Sequence, residues 1–459
     1  MATRATTRSS GYRCSECGWT TVKWVGRCGE CQAWGSVSET GGVSLKTTAA
    51  GTVARPAVRI GQVDMQRSSA RSTGVSEFDR VLGGGLVPGA VVLVAGEPGI
   101  GKSTLLLDVA ARAARGGQDV LYVSGEESAA QVRGRAERIE AMASSLFIAA
   151  ETDLATVLGQ IQTLQPDLVI VDSVQTIASG DVEGSAGNVA QVREVAASLI
   201  QAAKSRGIAI LLVGHVTKDG SIAGPRVLEH LVDVVIAFEG ERHSRLRLVR
   251  AVKNRYGPTD EVGCFDLSDV GIVGLADPSG LFLSNRDDAV TGTCVTVALE
   301  GRRPLVAEVQ SLIATSKLPS PRRATHGLDS SRVAMIIAVL ERRAEAPIGL
   351  SDAYVATVGG VRLSEPAADL AVAFAIASSI LDRPLPPHAV AFGEVGLAGE
   401  IRPVTGIPRR LAEAARLGFR TAFVPQGSLG SGPIPDSMHV VELRDVATAV
   451  STALDPSRR

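Results

Sequence analysis

The sequence predicts an α/β protein built around a parallel β-sheet, with a small cysteine-rich module before the sheet and a second strand–helix block after it. Three observations support this fold class. Short apolar runs rich in β-branched residues alternate with segments of helical length, a glycine-rich loop follows the first run, and two Cys-x-x-Cys pairs stand near the amino terminus. Such runs are typical of strands buried on both faces, so the pattern indicates βαβ units.

The strand candidates fall into two groups. The clearest are continuous apolar runs at residues 91–95, 120–124, 168–172 and 208–214. Two later candidates, residues 246–252 and 262–267, alternate apolar and polar side chains, which is typical of antiparallel edge strands. After residue 287 a second strand–helix pattern begins, with helices expected at 332–343, 367–381 and 409–417.

Composition excludes several classes of protein. Of the 459 residues, 45% are hydrophobic and 21% are charged, which excludes global disorder. Lys and Arg number 47 against 48 Asp and Glu, so the formal net charge is −1. Residues 1–72 contain ten Lys and Arg against four acidic residues, so this segment carries +6 and the remainder −7. The amino-terminal excess suits a polyanionic partner, and it is equally typical of a solvated basic tail.

The patterns also predict the domain boundaries: a cysteine module at residues 1–35, a linker at 36–71, a core at 72–286 and a carboxy-terminal block at 287–459. The linker is rich in Ser, Thr, Ala and Gly and has no sustained period. The first ten residues are polar and lack the apolar segment of a secretory signal. The longest apolar stretch, residues 370–381, is shorter than the roughly 20 residues that span a bilayer. We therefore expect a soluble cytoplasmic protein without a membrane partner.

The cysteine spacing predicts a structural zinc site. Cys14 and Cys17 form one Cys-x-x-Cys pair, and Cys28 and Cys31 form another after a gap of ten residues. Each pair can present two thiolates from a tight turn, and together they complete a tetrahedral Zn²⁺ site with no open position. A fragment of this size has no core of its own, so zinc binding would supply its folding free energy. A dithiol redox pair and an iron–sulfur cluster are the alternatives.

Aromatic and basic residues surround the cysteine pairs: Trp19, Trp24, Trp34, Lys23 and Arg27. These side chains could stack on and pair with nucleic acid. They could equally cover the metal or a neighbouring domain. The sequence leaves both interpretations open.

The segment after the first predicted strand fits the phosphate-binding pattern GxxxxGK[ST] in full, and a helical stretch follows it. Its backbone N–H groups would cradle the phosphates of ATP at the helix amino terminus. Lys102 would reach the β- and γ-phosphates, and the Ser103 hydroxyl would bind Mg²⁺. The residues expected to bind the nucleotide are Gly96, Glu97, Pro98, Gly99, Ile100, Gly101, Lys102, Ser103 and Thr104.

Polar residues stand at the ends of three other predicted strands. Asp172 ends the run 168–172, where a carboxylate would hold Mg²⁺ or its water. Glu126 follows the run 120–124 and can orient or deprotonate the attacking water, or else faces solvent with Glu127. His215 follows the run 208–214 and can sense the γ-phosphate, or is only a polar strand end. The sequence thus predicts an ATP-hydrolysing site.

Four features occur together in chain order: the cysteine module, a lead-in at residues 72–85, the phosphate loop, and the pentapeptide Lys-Asn-Arg-Tyr-Gly at residues 253–257. In this combination the chain resembles the bacterial RadA (Sms) family of DNA repair and recombination ATPases, which is related to RecA and to DnaB-type helicases. The family usually carries Phe where Tyr256 stands, and the change keeps the aromatic ring. The resemblance covers nearly the whole chain.

The resemblance implies a RecA-like core that forms a hexameric ring, couples ATP hydrolysis to movement along single-stranded DNA, and promotes branch migration of recombination intermediates. The partners it implies are single-stranded DNA, branched DNA and a RecA recombinase filament. The location it implies is the nucleoid. Lys253 and Arg255 become candidates for catalytic residues that act on the neighbouring subunit's γ-phosphate. A basic turn without that role is the alternative. DNA-binding loops are expected at residues 173–189 and 217–227.

The carboxy-terminal block resembles the proteolytic domain of Lon proteases at residues 359–369 and 392–403. Lon enzymes use a Ser–Lys dyad. The resemblance places Ala367 at the nucleophile and Pro408 at or next to the lysine, and no lysine follows Lys317 in the chain. Because a serine hydroxyl needs such a base, no dyad can be assembled within this block. We expect an α+β scaffold without proteolytic activity that supports ring assembly and DNA contact.

Two functions from other classes compete with a DNA-dependent ATPase of recombinational repair. One is an ATP-dependent Lon-type protease, which the missing lysine disfavours. The other is a RecA-fold regulatory kinase, which shares the phosphate loop and the lead-in but lacks the cysteine module.

Overall fold

The computed structural model describes residues 11–40, 57–62, 69–215, 225–240, 245–268, 270–278, 283, 290–317, 319–430 and 432–454. The chain divides into two compact units, Met1–Asp64 and Met65–Arg459. Within the ranges just given, no helix is long and apolar enough to cross a membrane.

The first unit is a three-stranded antiparallel sheet around the cysteine pairs. Its strands are β1 (Gly11–Cys14), β2 (Thr20–Thr21) and β3 (Val37–Thr40), in the order β2-β1-β3, and a 3₁₀ helix follows at Ile60–Gln62. Strand β3 lies in the segment that the sequence assigns to the linker, yet it pairs with β1 along its whole length and buries Val37. Strand β3 is therefore part of the sheet of the cysteine module. A strand of four residues is too short for its alternation to stand out from a Ser- and Thr-rich sequence.

The second unit begins with a nine-stranded sheet that is covered by helices on both faces. Its strands are β4 (Val91–Gly96), β5 (Val120–Ser124), β6 (Leu146–Ala150), β7 (Leu168–Asp172), β8 (Ala209–His215), β9 (Val234–Glu239), β10 (Leu246–Asn254), β11 (Val262–Ser268) and β12 (Gly271–Gly274). Its helices are α1 (Ser76–Leu82), α2 (Lys102–Arg115), α3 (Ala129–Arg138), α4 (Leu154–Leu164), α5 (Val189–Arg206) and α6 (Pro225–Leu231). The strand order is β12-β11-β10-β9-β4-β8-β7-β5-β6.

Strands β4 to β9 run parallel, whereas β10 to β12 are antiparallel. One hydrophobic cluster packs against each face, and β4, β5 and β7 are buried along their whole length. The predicted α/β fold is confirmed. Because parallel strands share one direction, the carboxyl ends of β4, β5, β7 and β8 lie at the same edge of the sheet.

A seven-stranded mixed sheet packed on an apolar helix completes the second unit. Its strands are β13 (Thr293–Glu300), β14 (Arg303–Thr315), β15 (Arg323–His326), β16 (Ser351–Thr357), β17 (Ala389–Ala391), β20 (Thr421–Pro425) and β21 (His439–Leu443), in the order β15-β16-β14-β13-β17-β20-β21, with β18 (Glu394–Val395) and β19 (Ile401–Arg402) as a separate pair. Its helices are α7 (Ser330–Arg343), α8 (Asp369–Leu381), α9 (Ile407–Arg416) and α10 (Val446–Ala453). The longest apolar stretch of the sequence is α8, a core helix.

Arg303, at the beginning of β14, joins the two sheets of the second unit. Its side chain is 7% exposed, and the guanidinium donates to the carboxylate of Glu77 on α1 and to three backbone carbonyl oxygens at 2.7–3.0 Å. Glu77 is also buried and accepts a hydrogen bond from the backbone N–H of Cys264 at 3.0 Å. Loss of Arg303 would leave the buried carboxylate with the half-exposed Arg80, at 3.5 Å, as its counterion.

Arg303→Ala is expected to lower the free energy of unfolding of the second unit by about 3–5 kcal/mol, because it removes the buried counterion of the Glu77 carboxylate and leaves only the half-exposed Arg80, 3.5 Å away. The neighbouring Arg302 is a matched control, since it is half exposed and lies 3.7 Å from Asp260. Arg302→Ala should change the stability by less than about 1 kcal/mol. Urea denaturation followed by circular dichroism measures both variants, and equal shifts would contradict the role given to Arg303.

Candidate nucleotide and metal sites

The phosphate loop connects β4 to α2, and glycines determine its shape. Gly99 and Gly101 have φ values of 80° and 106°, in the left-handed region that favours glycine. A Cβ atom on Gly96 would lie 2.6 Å from the backbone oxygen of Phe238 on β9, so this position has no room for a side chain. Helix α2 begins at Lys102, directly after the loop. The positive end of a helix therefore lies where phosphates would bind.

Lys102 points back into its own loop. Its Nζ atom donates to the carbonyl oxygens of Gly96 and Glu97, both at 2.8 Å, and lies 3.3 Å from Nδ1 of His215. Burial lowers the pKa of Lys102 to about 8, against the opposing effect of Asp172 and other carboxylates. An anion bound in the loop would favour the charged form of this amine.

Three polar side chains meet at the same edge of the sheet. Ser173 Oγ donates to Glu126 Oε1 at 2.8 Å, and Nε2 of His215 lies 3.2 Å from the same oxygen. The two ring nitrogens of His215 therefore connect Glu126 to Lys102. The adjacent Glu127 instead pairs with an arginine of α3. Glu126 is thus the glutamate that belongs to this cluster.

Asp172 ends β7 beside the cluster and accepts a hydrogen bond from a tyrosine that sequence reasoning does not identify. Tyr122 OH donates to Asp172 Oδ2 at 2.6 Å, and the two residues are 1% and 8% exposed. Burial, together with the neighbouring carboxylate, raises the pKa of Tyr122 well above its usual value, so the phenol keeps its proton. The signal in the sequence is a tyrosine inside a strongly apolar strand, because a buried phenol needs a polar partner.

These groups fit a nucleotide with Mg²⁺. The hydroxyl of Ser103 lies in the first turn of α2, and the carboxylate of Asp172 lies at the end of β7, which is separated from β4 by β8. Oxygen donors of this kind, completed by phosphates and water, are the ligands that Mg²⁺ prefers. The catalytic roles of Lys102, Glu126 and Asp172 stay predictions.

The pentapeptide at residues 253–257 lies at the opposite edge of the sheet. Asn254 on β10 pairs with Val234 on β9, which in turn pairs with Val92 near the beginning of β4. The phosphate loop follows Gly96, at the other end of β4. At 3.3 Å per residue, roughly 15 Å of strand separates Arg255 from the phosphate loop of its own chain. Arg255 cannot complete that site from this position.

Lys253 and Arg255 make different contacts at this edge. Lys253 Nζ donates to the carbonyl oxygens of Glu229 and Val232 at 2.7 and 2.8 Å, at the carboxyl end of α6. Arg255 Nη1 donates to the buried carboxylate of Asp233 at 3.2 Å, and its side chain is 56% exposed. Lys253 is therefore occupied by backbone oxygens, whereas Arg255 keeps its guanidinium at the surface. The action of both on a neighbouring subunit stays a prediction.

The first predicted DNA-binding loop, residues 173–189, folds around one side chain. The buried amide of Gln191 donates to carbonyl oxygens of the loop at 2.6–3.2 Å and accepts a hydrogen bond from the N–H of Ser179 at 2.8 Å. In the second predicted loop, residues 217–224 with Lys218 lie outside the described residues, as does the side chain of Arg226.

The four cysteines near the amino terminus converge as their spacing predicts. Their Sγ atoms all lie within 4.8 Å of one another, with Cys14 at 3.7 Å from Cys31 and Cys17 at 3.5 Å from Cys28. A tetrahedral zinc site with Zn–S bonds near 2.3 Å requires separations of about 3.8 Å, so the donor set fits Zn²⁺. A hydrogen bond with the Ser36 hydroxyl lowers the pKa of Cys14 to about 6, whereas contacts with the other three thiols raise the pKa of Cys31 to about 12.

The three tryptophans of this module divide between two environments. Trp19 packs over Gly29, where a Cβ atom would lie 2.8 Å from its ring, and joins the small apolar cluster of the module. Trp24 and Trp34 are 64% and 77% exposed, and the guanidinium of Arg27 lies 5.6 Å from the centre of the Trp34 ring. Trp19 therefore covers the metal module, while the other two indoles face solvent.

The carboxy-terminal block has no Ser–Lys pair at the positions that Lon enzymes use. Ala367 is buried in the turn before α8, and Pro408 lies in the first turn of α9. Arg410, which is fully buried, donates to both carboxylate oxygens of Glu365 at 2.7 and 2.8 Å. An ion pair thus links the two segments in which a dyad would stand.

Cys28→Ser is expected to release about one zinc ion per chain and to unfold residues 11–40, because the module folds on its metal. All three tryptophans of the chain lie in this module, so indole fluorescence reports its unfolding selectively. Nucleotide binding should persist, since the second unit has its own apolar core. Elemental analysis of the reduced protein measures the zinc.

Cys264→Ser is the control, because Cys264 is buried in the second unit and should leave the zinc content unchanged. Wild-type protein without zinc under reducing, metal-replete conditions would contradict the assignment.

Three protein families match segments of the chain in sequence order. Residues 12–39 match a rubredoxin metal binding domain, residues 56–221 match an AAA domain, and residues 359–428 match subunit ChlI of Mg-chelatase. The first match covers the four cysteines and the second covers the phosphate loop. The third covers the segment with the likeness to Lon proteases.

Curated relatives match along almost the whole chain. DNA repair protein RadA of Mycobacterium tuberculosis is 54% identical over 454 residues, which cover 97% of this chain and 93% of the relative. The RadA proteins of Mycolicibacterium smegmatis and Streptococcus pyogenes are 54% and 47% identical, with coverage of 96% and 97% of this chain and 96% and 98% of the relatives. A KaiC-like protein of Pyrococcus horikoshii aligns with 45% of this chain and 99% of its own, at 20% identity and a TM-score of 0.39. From the full-length identities, the chain belongs to the RadA family of bacterial DNA repair proteins and carries the RecA-like ATPase domain of that family.

Proposed function

We propose that this protein hydrolyses ATP with Mg²⁺ under stimulation by single-stranded DNA, and that it uses the hydrolysis to move along DNA and drive branch migration of recombination intermediates. It acts as a homo-hexameric ring in the cytoplasm, at the nucleoid, on single-stranded and branched DNA, with a RecA recombinase filament as protein partner. The observation that carries the proposal is the division of the candidate catalytic groups between two opposite edges of one sheet.

The edge with the phosphate loop holds the nucleotide. Loop N–H groups and the amino terminus of α2 bind the phosphates, and Lys102 exchanges the carbonyl oxygens of its loop for phosphate oxygens. Ser103 and Asp172 hold Mg²⁺, which neutralises charge on the phosphates. Glu126, fixed by Ser173 at 2.8 Å, orients the attacking water.

The opposite edge supplies Arg255 to the next subunit. In a ring of identical chains, each subunit contacts its two neighbours through two different surfaces, and the proposal places the two edges of the sheet at these surfaces. The exposed guanidinium of Arg255, held at one end by Asp233, then reaches the neighbour's phosphates and stabilises the charge that develops in the transition state. Lys253 supports this role because its hydrogen bonds fix the pentapeptide at residues 253–257 to the carboxyl end of α6.

The first DNA-binding loop is connected to the catalytic cluster. Residues 173–189 begin with Ser173, whose hydroxyl contacts Glu126 at 2.8 Å. A single DNA strand bound along this loop would shift Ser173 and with it Glu126. Binding of DNA could thereby stimulate ATP hydrolysis. The relatives are named DNA repair proteins, which supports DNA as the partner.

The carboxy-terminal block serves as a scaffold for the ring and for DNA. Within the part of the chain that the structure describes, Ala367 and Pro408 stand where Lon enzymes carry their dyad, and Glu365 and Arg410 tie the two segments together. This arrangement has no group to activate a nucleophile.

Purified protein is expected to hydrolyse ATP faster with single-stranded DNA than without it. Lys102→Ala should abolish hydrolysis in both conditions, because it removes the loop cation that follows charge to the leaving phosphate. Lys317→Ala, at an exposed lysine of the carboxy-terminal block, should keep the DNA-free rate. Phosphate release measures all three proteins.

Wild-type turnover in Lys102→Ala would refute the phosphate-loop assignment. An ATPase rate that is the same with and without single-stranded DNA would refute the proposed DNA-dependent motor activity. Peptide hydrolysis would support the protease, and autophosphorylation would support the kinase.

Arg255→Ala is expected to keep nearly the full nucleotide affinity, because the phosphate loop makes most ground-state contacts. Turnover should fall by about 10³–10⁵-fold, as for other arginines that act on a neighbouring site. Mixing Arg255→Ala chains with Lys102→Ala chains creates interfaces with an intact loop and an intact arginine, so partial activity should return. Mixed rings that co-assemble and stay inactive would show that Arg255 acts within its own chain or only structurally.

A further inference from the structure

We infer that Tyr122 is a positioning residue for Mg²⁺: its hydroxyl fixes the orientation of the Asp172 carboxylate and leaves Oδ1 as the oxygen available to the cation or its water. The inference rests on the proposed function, in which Asp172 holds Mg²⁺. It starts from the 2.6 Å hydrogen bond from Tyr122 OH to Asp172 Oδ2, between two buried side chains.

Two neighbouring parallel strands bring these side chains together. Tyr122 on β5 pairs in register with Ile170 on β7, so Asp172 lies two residues further along β7 and on the same face as Ile170. Tyr122 and Ile170 belong to the cluster that packs against α2, the helix that begins with Lys102 and Ser103. The phenol therefore lies in the layer between the sheet and the helix that carries the phosphate site.

The backbone alone does not orient the Asp172 carboxylate. The terminal torsion of an aspartate is broad and roughly two-fold, so a fixed strand still permits either oxygen to face the site. The hydrogen bond to Oδ2 removes this freedom, because the phenol is anchored in a strand whose five residues are all buried. Groups that orient a metal-binding carboxylate in this way typically change metal affinity by about 10- to 100-fold.

Tyr122→Phe separates the effect of the hydroxyl on the orientation of Asp172 from the effect of the aromatic ring on core packing. The variant keeps the ring that fills the core and removes the hydroxyl that binds Asp172. Tyr354→Phe is the matched control, because it removes a phenol hydroxyl from the exposed side of β16 in the carboxy-terminal block. Thermal unfolding of both full-length variants checks the fold.

The test measures how Mg²⁺ changes the affinity of the full-length protein for a fluorescent ADP analogue. In EDTA, Tyr122→Phe is expected to bind the analogue as the wild type does. For Tyr122→Phe, the Mg²⁺ concentration at which half of the Mg²⁺-dependent change in affinity for the analogue is reached should rise about 10- to 100-fold. Tyr354→Phe should match the wild type in both conditions.

Asp172→Asn distinguishes failure of this inference from failure of the proposed function. If Asp172→Asn raises the Mg²⁺ requirement and Tyr122→Phe does not, the role of Tyr122 is overturned and the proposed site stands. If Asp172→Asn leaves the requirement unchanged, Asp172 does not hold Mg²⁺, and both the inference and the metal site of the proposed function fail. A Tyr122→Phe variant that loses binding in EDTA as well would show that Tyr122 supports the fold of the site, which also overturns the inference.

Discussion

The direction of the strands in the nine-stranded sheet is the constraint on which the candidate site depends. Parallel strands end at one edge, so the phosphate loop meets Glu126, Asp172 and His215, although His215 comes 119 positions after Gly96 in the chain. Apolar clusters on both faces hold the strands in register. A slip of one residue would turn Asp172 to the other face and away from α2.

The same sheet keeps the two parts of the proposed site apart within one chain. Strand β10 returns antiparallel and carries Arg255 to the edge where β4 begins. The carboxylate that holds Arg255 is itself rigid, because Asp233 also accepts hydrogen bonds from Lys204 at 2.6 Å and from the N–H of Val91 at 3.0 Å. Under the proposed function, assembly is therefore a condition for hydrolysis, since no side-chain rotation can span the length of β4.

Buried ion pairs connect segments of the second unit. The Glu77–Arg303 pair ties the ATPase sheet to the carboxy-terminal sheet, and the Glu365–Arg410 pair ties together the segments that correspond to the Lon dyad. Burying such charges has a large desolvation cost, so we attribute to these pairs the mutual orientation of the segments rather than added stability. The first unit has only a small apolar cluster, so we expect its folding to depend on a metal ion held by the four cysteines.

The sequence by itself determined the phosphate loop with its flanking strand and helix and the cysteine pairs, because each depends on residues close together in the chain. It also indicated a parallel sheet, because continuous apolar runs separated by helical segments are typical of strands buried on both faces. It also brought Glu126 and Asp172 to one edge, since parallel strands share a direction. Only the tertiary structure decided that Tyr122 binds Asp172, that Lys253 binds carbonyl oxygens at the end of α6, and that Val37–Thr40 is a strand of the metal module. These contacts depend on which strands become neighbours, and the periodicity of a single segment does not contain that information.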